Sequence, residues 1–232
     1  LYHFRKDTPP ATGAWEHSYS SLYFMPEPQA DFNRYAKRLV TVASHEFFHI
    51  VTPLNIHSEI IEPFNFETPV PSQHLWLYEG TTEWAAQIMQ IRGGLMNDRQ
   101  FFDEVSDKLS TNDRFDPRIS LVDMSLGAYG AHSDQYLNIY AKGALTAMFL
   151  DMRLLELSRG KMGLRDVIKQ LSKAYGPKKT FSEKDFFDLF VKMTYPEIGE
   201  FFDKYIKGTD PLPVKEYLAK AGYDYLAAFK AG

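Results

Sequence analysis

The sequence predicts an α+β chain in which helices predominate, with one short β segment at its N-terminus. Three observations predict it. Residues 1–26 are rich in aromatic and hydroxyl side chains around the turn-forming run TPPATG. From Asp31 onward apolar residues recur at helical spacing. Pro53, Pro63, Pro69 and Pro71 interrupt that pattern over residues 52–72, where no long helix is expected. A length of 232 residues and a hydrophobic content of 44% suffice for a sizeable core and exclude whole-chain disorder. We expect a single domain over 1–232, extended over 1–30 and helical over 31–232.

The elements follow in order. LYHFRKD and WEHSYSSLYFM are expected to be extended, separated by TPPATG. DFNRYAKRLVTVASHEFFHIVTPL places Leu39, Val40, Val42, Ala43, Phe47, Ile50 and Val51 at roughly helical spacing, with Pro53 near its end. SQHLWLYEGTTEWAAQIMQIRGG reads as a second helix, with Ser72 as its N-cap and Gly93-Gly94 as its stop. NDRQFFDEVSDKLS is a third, and residues 111–137 are expected to be an irregular connection of the kind that contributes to a site. NIYAKGALTAMFLDMRLLELSRG is an amphipathic helix ending at Gly160. Shorter helices are expected in GLRDVIKQLSKAYG, FSEKDFFDLFVKM and EIGEFFDKYIKG, with Thr180 and Glu183 at capping-box spacing for the second. There is no internal repeat and no low-complexity segment.

Composition removes several function classes. The net charge of −4 comes from interspersed signs, so no basic face for nucleic acid is expected. No apolar run is long enough to cross a bilayer. This points to a soluble chain and leaves periplasm and cytoplasm equally open. The absence of cysteine rules out disulfides and thiolate metal sites, so histidine and carboxylate are the available metal ligands. The chain opens at Leu1 without an initiator Met, which suggests a piece of something longer.

The chemistry gathers in ASHEFFHI. His45 and His49, four residues apart on a helix, lie one turn apart on one face and can chelate a single zinc ion. Glu46 projects beside them, where a carboxylate can take a proton from a water at the cation's open position. A catalytic zinc needs a third protein ligand. Glu79 in WLYEGTTEW is the candidate, a carboxylate beside Trp76 and Leu77 that needs positive charge nearby. Glu83, one turn further on, is placed to accept the free ring N–H of His45 or His49.

HEFFH followed by WLYEG resembles the gluzincin metallopeptidases, and within them most resembles the glycyl aminopeptidase family, whose members often carry a PDZ domain after the peptidase domain. GAWEH at 13–17 is similar to that family's Gly-x-x-Glu-His segment, IYAKGA at 139–144 to its Tyr-x-Lys-Gly, and FFDKYIKGTDPLPVKEYLAKAG at 201–222 to the stretch that closes its catalytic domain. The similarity spans nearly the whole chain. It implies a thermolysin-like gluzincin catalytic domain, flanked in such proteins by an N-terminal β domain and a C-terminal PDZ domain that lie outside this sequence. There is one departure. Where the family's basic Asn-Val-Lys-Arg run is expected, this chain has Asn55-Ile56-His57-Ser58-Glu59, so substrate contacts by those basic residues do not carry over.

The resemblance implies a zinc-dependent aminopeptidase with one Zn2+, acting on peptides with a free N-terminus and removing small residues, Gly or Ala. Tyr140 would be the hydrogen-bond donor to the developing oxyanion, as in aminopeptidase N and its relatives. Glu16 falls where related enzymes hold the substrate's ammonium, and Gly13 leaves space for a peptide backbone. Lys142 and Gly143 are expected to be architectural, Gly143 through close backbone approach near a helix start. Two other readings stay open: a thermolysin-like zinc endopeptidase, and an inactive peptide-binding scaffold that keeps the metal. His17 could support the site or simply pack, while His3, His57, His74 and His132 have no partner at metal spacing and read as structural or surface residues.

Overall fold

The computed structural model describes residues 2–5, 13–26, 31–62, 65 and 67–226. Most of TPPATG therefore falls outside the described residues. At the N-terminus, β1 (Tyr2–Arg5), β2 (Gly13–His17) and β3 (Ser20–Pro26) form a three-stranded sheet in the order β1-β3-β2. β2 and β3 are an antiparallel hairpin in which Glu16 stands opposite Ser21, and β1 joins β3 in parallel. Everything described after residue 31 is helical or loop, so the predominantly helical prediction with a short β segment holds.

The first helix, α1 (Phe32–Phe48), stops earlier than its apolar spacing suggests. Past Phe48 the backbone opens into wide turns, with Leu54 N–H donating to His49 C=O and Ile56 N–H to Val51 C=O. Pro53 has no N–H with which to continue a helix. His49 thus sits just beyond the helix end, still one turn from His45.

The second helix also starts later than expected. Ser72 does not cap it, because its hydroxyl donates to the Glu183 carboxylate. Trp76–Gly80 instead forms a single π-helical turn, in which Thr81 N–H reaches back five residues to Trp76 C=O, and α2 (Thr81–Arg92) follows. Such insertions concentrate at functional sites because the extra residue re-aims a side chain. Here the re-aimed segment carries Glu79. Gly93 closes α2 as expected, with Gly94 at φ +70° beyond it.

α3 (Asp98–Asn112) opens on a capping box between Asn97 and Gln100. The stretch expected to be irregular holds α4 (Leu121–Gly127), capped by the Ser120 hydroxyl accepting from Asp123 N–H, and a single turn at Ser133–Gln135. Its last two residues already belong to α5 (Tyr136–Leu157). That helix is not amphipathic. Nearly every residue from Asn138 to Leu150 is buried, because the π turn, α2, α3, α4 and later helices enclose it.

α6 (Leu164–Ala174), α7 (Phe186–Met193), α8 (Glu197–Tyr205) and α9 (Val214–Lys220) complete the chain. The expected Thr180–Glu183 capping box does not form, since α7 begins at Phe186 with no side-chain cap. The Glu183 carboxylate accepts instead from Ser72 Oγ and Gln73 N–H, tying the approach to the π turn against α7. The residues that replace the basic run are likewise spent on packing. Ile56 is fully buried, His57 Nδ1 donates to Pro53 C=O at 2.6 Å, and Glu59 accepts from Glu183 N–H at 2.7 Å.

One contact fixes the site's dimensions. Gly80 and Gly143 touch backbone to backbone: a Cβ built on Gly80 would lie 2.6 Å from the Gly143 Cα, and one on Gly143 would lie 2.9 Å from the Gly80 Cα. Gly143 therefore does permit close approach, from the interior of α5 rather than its start. Glu79 precedes one glycine and Tyr140 lies three residues before the other, so this contact sets their separation. Gly143→Ala should destabilise the fold by about 1–3 kcal/mol through overpacking. Thermal unfolding indistinguishable from wild type would refute the tight contact.

Candidate metal centre

The elements converge on a cleft of about 830 Å³. Strand β2 contributes Gly13 and Glu16 to its wall, α1 contributes His45 and Glu46, and the turn after α1 contributes His49. Glu79 comes from the π turn, Glu83 from α2, and Tyr136 and Tyr140 from α5.

His45 Nε2 lies 3.1 Å from Glu79 Oε2, and His49 Nε2 lies 3.5 Å from the same oxygen. Ligands held at 2.0–2.1 Å in a tetrahedron stand roughly 3.3 Å apart. The three side chains therefore surround one vertex at the separation that one small cation requires, and all their donor atoms fall within 4.8 Å of one another. The back of each imidazole is already satisfied. His45 Nδ1 donates to Glu83 Oε2 at 2.8 Å, and His49 Nδ1 donates to Thr52 C=O at 2.8 Å. In the neutral imidazole, fixing Nδ1–H in this way turns the Nε2 lone pair of each toward the vertex. Of the two histidines that Glu83 was expected to serve, it reaches His45. A hydrogen bond between the Thr52 and Thr82 hydroxyls, 3.0 Å, ties the turn carrying His49 to α2.

The electrostatics show a site that draws positive charge. Burial alone would push the His45 imidazole down, but hydrogen bonds to Glu79 and Glu83 outweigh it and raise it to about 10. Burial would raise Glu79, and its hydrogen bonds to both histidines bring it down to about 2. Glu83 also falls to about 2 against burial, chiefly through the charge of Lys108, whose Nζ donates to Glu83 Oε1 at 2.6 Å. The carboxylates are thus held as anions beside the imidazoles, a charge that a divalent ion would balance.

Glu46 differs from the other acids. It is buried, its Oε2 has no hydrogen-bond partner among the described residues, and burial raises it to about 7 although the two histidines pull it down. Glu16, on β2, is raised by burial and by Glu79. Its carboxylate, that of Glu46 and a nitrogen of His49 form a second group of donors within 4.8 Å, overlapping the first only at His49. A Cβ at Gly13 would meet nothing within 4 Å, so the glycine leaves open space beside β2. Tyr140 stacks at a tilt on His45, with ring centroids 5.5 Å apart. Its phenol is pushed well above the ordinary value by burial, by the Glu79 charge and by Tyr136, so it remains a protonated donor.

The eight residues singled out from sequence thus share one cleft. Of the other histidines, His57 and His74 are buried in packing roles and His17 lies on the exposed side of β2; the side chain of His3 is outside the described residues. Two residues escaped sequence reasoning. Lys108 on α3 had no signal beyond being one of many cations. Tyr136 had one, its place one helical turn before Tyr140, and its oxygen is 3.2 Å from that of Tyr140.

The fold has a counterpart among solved structures. A crystal structure of an aminopeptidase N family protein from Idiomarina loihiensis superposes with a TM-score of 0.81 at 22% identity, over 94% of this chain and 40% of that one. This chain thus spans less than half the length of that neighbour. No curated protein sequence matches it. Residues 38–146 match the family model of the M61 glycyl aminopeptidases. Over that span the family resemblance drawn from the motifs is shown, and the span contains His45, Glu46, His49, Glu79, Glu83 and Tyr140. Among the described residues, no helix is long and apolar enough to cross a membrane.

Proposed function

We propose that this chain is the catalytic portion of a zinc aminopeptidase, with His45, His49 and Glu79 holding one zinc ion. The convergence of two imidazole nitrogens on one Glu79 oxygen, at tetrahedral spacing, carries the reading. Two imidazoles and a carboxylate suit zinc, and Glu83 behind His45 keeps that ligand's tautomer fixed. When bound, the ion would acidify a water and polarise the scissile carbonyl.

The remaining steps belong to the protein. Glu46, with an unpartnered oxygen and an affinity for protons near neutrality, takes the proton of the attacking water and passes it to the departing amine. Tyr140 donates its phenol hydrogen to the carbonyl oxygen as charge develops there. Glu16 binds the substrate's ammonium, and Gly13 leaves room for the peptide backbone beside β2. The Glu16–Glu46–His49 group is the second concentration of acceptors in the cleft, and an ammonium with three donors is the natural counterpart of such a pair of carboxylates. The preference for N-terminal Gly or Ala follows from the family.

The size of the cleft favours a second reading, an endopeptidase that admits a longer chain. Amino-acid arylamides and N-acetylated peptides separate the two. The aminopeptidase reading expects glycine or alanine arylamide to be cleaved and the acetylated peptides to be spared. Glu16→Ala should lower kcat/KM on arylamides by about 10- to 100-fold, the scale of one hydrogen bond to a charged group. Equal losses on both substrate classes would remove Glu16 from amine binding.

A further inference from the structure

A phenol has a single hydrogen to give. Tyr140 can serve a carbonyl oxygen in the cleft only if that hydrogen is not spent elsewhere, and its nearest hydroxyl neighbour is Tyr136. The two residues lie one turn apart on α5, with ring centroids at 5.6 Å, rings inclined at 62° and oxygens 3.2 Å apart. Both line the cleft. Either oxygen could donate in this pair, and the direction decides whether Tyr140 is armed or idle.

The groups at the two ends settle it. Tyr140 also interacts with the Glu79 side chain, and a carboxylate that serves as a ligand offers only acceptor oxygens. The Tyr140 hydrogen is drawn to that side, where the metal-ligand vertex lies. The Tyr140 oxygen then offers its lone pairs to Tyr136, whose hydroxyl makes its hydrogen bond to Tyr140 and to no other described residue. Hydroxyls linked head to tail polarise one another, which makes the terminal donor stronger.

We propose that Tyr136 is a positioning residue: its O–H donates to the Tyr140 oxygen and keeps the Tyr140 hydrogen directed into the cleft beside Glu79. The contact between the two hydroxyls stands on geometry, its direction on the carboxylate beside Tyr140, and its effect on turnover on the aminopeptidase reading above.

The test uses the full chain carrying 13C at the tyrosine ζ carbons, as wild type, Tyr136→Phe, Tyr140→Phe and the double variant. Phenylalanine keeps both rings packed and removes only the hydroxyls. In metal-free protein at neutral pH, the resonance deleted by Tyr140→Phe should move in Tyr136→Phe further than any other tyrosine resonance. In zinc-loaded protein, Tyr136→Phe should lower kcat on glycine arylamide by about tenfold with KM changed by less than about twofold. It should cause no further loss when added to Tyr140→Phe. An unmoved Tyr140 resonance overturns the proposal whatever the kinetics. So does a tenfold loss that recurs in full in the Tyr140→Phe background, because Tyr136 would then act independently. If wild type cleaves no arylamide, the aminopeptidase reading fails and the resonance alone decides the hydrogen bond.

Discussion

Glu46→Gln leaves the zinc content at one ion per chain and lowers turnover on glycine arylamide by about 10²- to 10⁴-fold, the range of a lost general base. Glutamine has the same shape, and the three proposed ligands approach one another without help from residue 46. What the substitution removes is a carboxylate whose Oε2 is buried and unpartnered, and which holds its proton until about pH 7. A structural role makes the opposite prediction for stability. A carboxylate raised by burial penalises folding increasingly as pH climbs from 4.5 to about 7, and in full above that. Metal-free Glu46→Gln protein should therefore be at least as stable as wild type at pH 8, while metal-free wild type gains stability on acidification through that window from this group. Metal analysis, arylamide kinetics and thermal unfolding on the same samples check all three. Turnover within tenfold of wild type would take the base away from Glu46, and loss of zinc from the variant would make residue 46 part of the ligand set.

The parts of this site that are legible in the sequence are those governed by local periodicity. His45 and His49 are related by one helical turn, and the i, i+4 rule survives although the helix ends at Phe48, because the following turns keep His49 in register. Glu79 is legible for another reason. A carboxylate placed between Trp76, Leu77 and Gly80 implies a cation on the strength of its apolar neighbours alone. The π turn that aims it is not legible, since the partner it packs against, Gly143, is distant in the chain.

Tyr136 shows how one boundary error hides a residue. Starting α5 at Asn138 consigns Tyr136 to an irregular connection; starting it at Tyr136 places two tyrosines one turn apart and pairs them at once. Likewise, α5 reads as amphipathic, yet its polar residues Asn138, Lys142 and Thr146 are buried. Thr146 donates back to Lys142 C=O, and Lys142 is buried with its ammonium pushed down by desolvation, so neither marks a solvent face. Ser72 and Glu183 fail as caps for a related reason. Each finds the other across 111 residues, a pairing that no local rule could anticipate.

Tyr140→Phe keeps fold and zinc and loses at least about a hundredfold in kcat, the cost of deleting one oxyanion donor. The ring that packs on His45 at 5.5 Å is retained, so the ligand geometry has no cause to move. Because the donated hydrogen bond strengthens only as charge builds on the carbonyl oxygen, the loss should fall on kcat and kcat/KM together while KM stays near wild type. The pH profile adds a second condition. Burial, Glu79 and Tyr136 hold the phenol well above 10, so Tyr140 does not titrate where a neutral peptidase works. Tyr140→Phe should therefore scale the profile down without moving its limbs. An alkaline limb that disappears in the variant would mean that Tyr140 acts as a titrating acid, and undiminished turnover would leave zinc as the sole stabiliser of the carbonyl oxygen.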